Sequence, residues 1–275
     1  MRTVNSHPPQ APIAEPDELG LVTRGLLLIF GLGAAWVAAC AGLLPTATVL
    51  SLPWAVAPLH AGCVAALHAS AALTWLLGSR ERDPAAVRIP LALALGNSGA
   101  YLLQVLAAWP TLAPETEAAW VWLGAQTASA ASSMWLLLRQ RELRAPAERL
   151  DAPLALCGVF ALAFAALLAF KPDWAAGVWP WPLSRQAAVL YAAALAGWAL
   201  ALLMLARERR RAARSLTLLG LTLTGPLVAW GSWLHRDAFY SAALGAAWAA
   251  LFLTASALAG WRLRTLALRH RRRAS

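Results

Sequence analysis

Hydrophobic positions in this chain fall into long, nearly unbroken blocks; they neither alternate nor recur on one helical face. Eight blocks stand out: Gly25–Leu44, Ala55–Leu77, Ile89–Trp109, Ala118–Leu138, Pro153–Phe170, Ala187–Ala206, Leu216–Leu234 and Ala238–Gly260. A hydrocarbon core of ~30 Å takes about 20 helical residues to cross, and these blocks have that length. Each is apolar all round, the pattern of a helix surrounded by lipid and by other helices. Backbone groups in hydrocarbon must bond within their own segment, and the ~10-residue alternation of a barrel strand is absent. The expected fold is therefore all-α, a polytopic membrane bundle of eight transmembrane helices.

Composition agrees. Apolar residues make up 60% and charged residues 13%, against ~45–50% and ~25% in an ordinary soluble domain. A soluble globule is excluded, and so is disorder for most of the chain. The net charge of +10 would alone invite a nucleic-acid reading. Sorting the basic residues by span end changes its meaning. Twenty of the 23 fall on one side of an eight-span chain, leaving only Lys171, Arg185 and Arg236 on the other. That is the positive-inside pattern with both termini cytoplasmic. The expected partners are the bilayer and, at the basic tail, anionic lipid; no nucleic-acid partner is expected.

Nine of the 15 tryptophans lie near the opposite span ends, which predicts an interfacial aromatic belt. Residues 1–20 are polar and proline-rich without an apolar signal region, so an uncleaved cytoplasmic arm is expected. Cys40, Cys63 and Cys157 fall within spans and form no CxxC pair, so no disulfide framework is expected. Arginine outnumbers lysine 22 to 1, a bias of high-GC bacterial genomes, and the inner membrane is the expected location.

An internal repeat is also visible. A shift of 127 places Leu27–Arg82 on Leu154–Arg209, pairing Gly31 with Gly158, Pro45 with Pro172, Pro53-Trp54 with Pro180-Trp181, and Arg80-Glu81-Arg82 with Arg207-Glu208-Arg209. Two parallel four-helix repeats are expected. The chain then divides into an arm (1–24), a first repeat (25–138), a cytoplasmic linker (139–152), a second repeat (153–260) and a basic tail (261–275).

The most distinctive string is Val178-Trp179-Pro180-Trp181-Pro182-Leu183. This W-P-W-P-L loop resembles one found in uncharacterised bacterial multi-pass membrane proteins, a likeness that implies no activity. Physically, each proline fixes φ and lacks an N–H, which suits a helix entry, while tryptophan seats that entry at an interface.

Candidate chemistry is sparse. No Asp, Glu, Lys or Arg lies mid-span, which argues against ion-coupled carriers, voltage sensors and carboxylate hydrolases. His60 and His68 in the second span lie about 80° apart in azimuth, near enough to face one groove. They fit interhelical hydrogen bonding, a substrate or proton-relay site, or metal or haem ligation. Asn97, Tyr101 and Gln104 make a stripe on the third span, and Gln126, Ser129 and Ser133 make one on the fourth. These stripes fit interhelical bonds or the lining of a small-ligand pocket. The candidate substrate-binding residues are therefore His60, His68, Asn97, Gln104 and Gln126, with no catalytic residue, resident metal or cofactor expected. No nucleotide loop, zincin helix or nucleophile elbow occurs. Three functional readings follow: a permease or binder of a small, weakly polar or lipid-like molecule, a redox or metal-handling enzyme using His60 and His68, and an assembly scaffold.

Overall fold

The computed structural model describes residues 20–44, 52–112, 114–140 and 150–274, with side chains up to residue 268. Ten α-helices follow one another: α1 (Leu21–Leu43), α2 (Pro58–Gly78), α3 (Arg88–Ala107), α4 (Trp109–Leu112), α5 (Glu117–Arg139), α6 (Ala152–Phe170), α7 (Pro172–Val178), α8 (Arg185–Leu205), α9 (Arg211–Leu234) and α10 (Ala242–Ala274). Among the described residues there is no strand. The arm expected over 1–24 lies outside the described residues as far as position 19. So does most of the 139–152 linker.

Local chemistry sets the helix ends. Pro58, Pro153 and Pro172 stand in first turns, where the missing N–H costs nothing. Thr116 and Ser184 cap α5 and α8 by accepting from Ala119 N and Ala187 N, each at 3.2 Å. The last helix departs from the expected 238–260 at both ends. It starts later because Arg236–Ala238 forms a 3₁₀ turn. It ends later because the arginine-rich stretch, free of proline after Gly260, simply continues the helix to Ala274.

Among the described residues, seven helices are long and apolar enough to cross a membrane: α1, α2, α3, α6, α8, α9 and α10 as far as Leu268. These point to a membrane location for a multi-pass protein. Helix α5 stands where the fourth span was expected and has 23 residues, but it is not among the seven. Glu117, Gln126, Thr127, Ser129, Ser132 and Ser133 dilute its apolar content. The outward faces carry Ile29, Leu32, Trp36, Leu103, Leu156 and Phe160 in exposed positions. Apolar cover this continuous would drive aggregation in water but suits hydrocarbon.

Helix α1 packs on α2, and α6 packs on α8; α3 packs on α5, and α9 packs on α10. Two further pairs cross the middle, α2 with α9 and α3 with α8. The set α1, α2, α3, α5 is thus wired like the set α6, α8, α9, α10. Helices α2 and α8 are the most enclosed, and α6 and α10 are mostly peripheral. One end of the bundle gathers Arg80, Arg88, Arg207, Arg214 and Arg262, and the other holds an aromatic cluster around Trp179, Trp181 and Trp248.

Glycines set the closest approaches. A Cβ at Gly31 would fall 2.7 Å from Leu76 Cγ, and one at Gly158 would fall 2.9 Å from Leu203 Cγ. Across the middle, a Cβ at Gly96 would lie 2.8 Å from the Ala196 carbonyl oxygen, and one at Gly220 would lie 2.8 Å from the Ser70 carbonyl oxygen. Such contacts let helix backbones meet. Helix α9 contains Pro226, and the Ser256 hydroxyl of α10 inserts into the turn just before it. It accepts from Gly225 N at 2.6 Å and donates to the Leu221 carbonyl at 2.7 Å, serving a ladder that the nearby proline interrupts.

Candidate functional site

At the aromatic end, His60 is 2% exposed and its ring is fully engaged. Nε2–H donates to the Pro182 carbonyl at 2.9 Å. Nδ1 accepts from the Trp181 indole N–H at 3.1 Å and faces the Tyr191 hydroxyl at 3.1 Å. These partners fix the neutral tautomer protonated at Nε2. The W-P-W-P-L loop is thereby tied to α2, while its Pro180 carbonyl accepts from Tyr240 N at 3.0 Å. Around this knot pack Trp179, Trp248 and Phe239, with ring centroids 5.0–5.4 Å from Trp181.

The expected belt is accordingly divided. Trp109, Trp120, Trp174, Trp230 and Trp233 are exposed, whereas Trp179 and Trp181 are among the most buried side chains in the protein. Their ring surface goes to the core and not to an interface.

His68 lies about 12 Å further along α2 by helical rise and has different neighbours. Its Nδ1–H donates to the Val64 carbonyl at 2.9 Å, and its ring faces Trp122 with centroids 6.1 Å apart. With Asn97, Trp75 and Trp198 it lines a void of about 10 Å³ between α2, α3 and α8, near the minimum that holds one water. So His68 and Asn97 come together, and His60 stands apart from both. The α5 stripe meets α3 at Ser98, which lies beside the α3 stripe and donates to Ser129 at 3.0 Å. Gln126 lies on α5, its buried Oε1 without a hydrogen-bond partner. Among the described residues, no three His, Cys, Asp or Glu side chains are grouped to hold a metal.

The large cavity is elsewhere. It measures about 330 Å³ and opens between α3, α6 and α8 in the aromatic half of the bundle. Leu103, Ala107, Leu162, Ala166, Phe170 and Val189 supply apolar wall, while Gln104 and Arg185 are its polar side chains. Gln104 Nε2 donates to the Ala100 carbonyl at 3.0 Å, leaving a buried Oε1 without a partner. A pocket of ~300–1,000 Å³ with apolar walls and few polar groups is the usual form of a small-molecule site. Of the five candidate residues, Gln104 alone lines it; the candidates lie on α2, α3 and α5, whereas this cavity is bounded by α3, α6 and α8. No known protein family, curated protein or solved structure matches the chain. The site is therefore argued from its own geometry.

Its position is explained by the other flank of the bundle. There α2 and α9 meet at Gly62 and Gly231, where a Cβ on Gly62 would sit 3.8 Å from Gly231 Cα. The residue 127 positions after Gly62 is Val189; the residue 124 positions before Gly231, the offset between Gly96 and Gly220, is Ala107. Both line the cavity. Where one flank brings two bare backbones together, the other carries two side chains and an opening.

The basic end is closed by Asp151, which accepts from Arg214 at 2.9 Å and pairs with Arg262 at 3.2 Å. One carboxylate thus ties α6, α9 and α10. No signal in the sequence marked this cluster, because its members lie far apart along the chain.

Proposed function

We propose that this chain is an eight-span protein of the bacterial inner membrane with both termini cytoplasmic, built by duplication of a four-helix unit, whose work is to hold a lipid-like molecule in the cavity between α3, α6 and α8. Duplication is supported by the matching helix pairs and by Gly31 with Leu76 against Gly158 with Leu203, each residue displaced by 127. The two Arg-Glu-Arg turns carry the same bonds: Glu81 accepts from Arg82 N at 2.9 Å, and Glu208 from Arg209 N at 2.8 Å. Helix α5 fits as the eighth span because Thr127 and Ser132 donate to carbonyls of their own helix at 2.8 and 2.7 Å, which lowers the cost of hydroxyls in hydrocarbon. Both termini then lie on one side, and the arginines near the end of α10 lie against anionic headgroups. A seven-span chain would leave its termini on opposite sides, so reporters fused to each end decide the count.

The observation that carries the binding reading is an apolar cavity of about 330 Å³ whose wall includes the exposed Leu103 of α3 and Leu162 of α6. The metal-enzyme reading gains nothing from His60, whose two nitrogens are both occupied. Native mass spectrometry of the purified full chain tests the binder. Wild type is expected to retain about one lipid, and Ala166→Phe, which fills the cavity, to lose it. Ala39→Phe, at the equivalent exposed position of α1, is expected to behave as wild type. Equal retention by Ala166→Phe and wild type overturns the reading and leaves a packed scaffold.

A further inference from the structure

We infer that the cavity takes a monoacyl glycerophospholipid with an anionic headgroup, its chain lying between α3 and α6, its free glycerol hydroxyl on Gln104 and its phosphate on Arg185. This rests on the lipid-binding reading above and names the ligand class.

Three observations converge. The first is length. Along α8 the lining runs from Arg185 to Ala196, about 16 Å at 1.5 Å per residue, or about half of a ~30 Å hydrocarbon core. That is the depth of one leaflet, with the mouth at a membrane boundary and the blind end near the Gly96–Gly197 contact. The volume is about twice that of a ~150 Å³ cavity able to admit benzene. It suits one acyl chain better than two.

The second is charge. Arg185 is exposed at the start of α8, lines the cavity, and has no ion-pair or hydrogen-bond partner among the described residues. Arg185 is the one charged side chain in the lining; Lys171, Asp173, Glu115 and Glu117 are exposed at the same end and lie outside it. A guanidinium there fits a phosphate, which it grips with two parallel N–H donors.

The third is the orphaned acceptor. Gln104 lines the cavity, and its Oε1, covered by protein, has no partner; an amide rotation toward the cavity would give this acceptor a donor. Helices α3 and α8 run antiparallel through the contact of Gly96 with Gly197, a register that puts Gln104 level with Val189. That is one turn, about 6 Å, deeper than Arg185. A diacyl phospholipid presents only ester oxygens at this depth, and these cannot donate. A monoacyl glycerophospholipid has a hydroxyl there, one glycerol carbon away from the phosphate arm.

Native mass spectrometry of the full chain in neutral detergent, titrated with lysophosphatidylglycerol, lysophosphatidylcholine and phosphatidylglycerol, tests this. Wild type is expected to prefer lysophosphatidylglycerol over lysophosphatidylcholine by about fivefold, the scale of one basic residue near an anionic lipid. It is expected to prefer it over phosphatidylglycerol by about two- to tenfold, the scale of one hydrogen bond. Arg185→Gln should abolish the first preference alone and Gln104→Leu the second alone. If wild type binds phosphatidylglycerol as well as its monoacyl form, or if Arg185→Gln leaves the charge preference intact, the inference fails and a lipid-binding cavity remains. If Ala166→Phe binds all three lipids as wild type does, the cavity is not the site and both readings fail together. The wild-type comparison decides the ligand class even if a variant does not fold.

Discussion

The indole N–H of Trp181 points at Nδ1 of His60 from 3.1 Å, joining the loop before α8 to the first turn of α2 across 121 residues. With the Pro182 carbonyl on Nε2, this makes His60 the pin of the aromatic end. His60→Ala removes the partner of both the Trp181 N–H and the Pro182 carbonyl. The Trp181 N–H is buried, and an orphaned buried group costs about 1–3 kcal/mol; Pro182 is exposed, so its carbonyl can turn to water, and a loss of about 1–3 kcal/mol is expected in thermal or denaturant unfolding in detergent. Trp181→Phe removes one donor and retains most of the ring packing, and its loss should be smaller. A His60→Ala protein as stable as wild type would show that the knot contributes no stability.

Glycine positions are expected to differ sharply. At Gly96 an added methyl meets the Ala196 carbonyl and Gly197 Cα, both at 2.8 Å, and backbone cannot step aside. Gly96→Ala should destabilise by about 1–3 kcal/mol, the usual cost of overpacking. At Gly62 the nearest atom would be 3.8 Å away, and at Gly124 nothing lies within 4 Å. Gly62→Ala and Gly124→Ala should fall within about 0.5 kcal/mol of wild type or gain slightly from helix propensity. Melting curves of the three variants side by side provide the check.

At the basic end, Asp151→Ala leaves Arg214 and Arg262 facing each other without their shared carboxylate. The side chains are partly exposed, at 12–26%, so solvent screening reduces the effect to about 1–2 kcal/mol at low salt. The difference from wild type should shrink in ~1 M salt, where screening acts within ~3 Å. Restoring stability in Asp151→Ala by also replacing Arg214 with Met would identify the unpaired charge as the cause.

Tryptophan quenching separates interface from core. Trp174 is 62% exposed and Trp179 2% exposed, although only five residues separate them. In vesicles containing brominated phospholipid, Trp174→Phe should lower the quenchable share of the fluorescence, whereas Trp179→Phe should lower the unquenched share. The reverse result would place the W-P-W-P-L loop at the lipid boundary.

The spans were legible in the sequence because hydropathy acts through length and composition, which a linear chain displays directly. Helix α5 marks the edge of that legibility: its position is plain, but its hydroxyls and Gln126 leave it less apolar than the other seven long helices. The candidate site was harder to read for a different reason. His60 and His68 attracted attention because ionisable groups are rare in spans, yet His60 is held by Trp181 and Pro182, more than 120 residues away. The walls of the large cavity are Ala, Leu, Phe and Val, chemically indistinguishable from lipid-facing positions. Gln104 was the one polar signal on the right helix face. Val189 lines the cavity where the opposite flank has Gly62, a difference that only the packed helices give a meaning.

Gly62 and Gly231 also give the molecule a direction within the membrane plane. With one flank sealed backbone to backbone and the other open at Val189 and Ala107, a molecule diffusing in the bilayer meets a front and a back. Under the proposed lipid binding, entry is from a single bearing, and each chain loads once. Occupancy by one chain should therefore saturate as a simple hyperbola with one ligand per protein, however closely the two sets of four helices resemble one another.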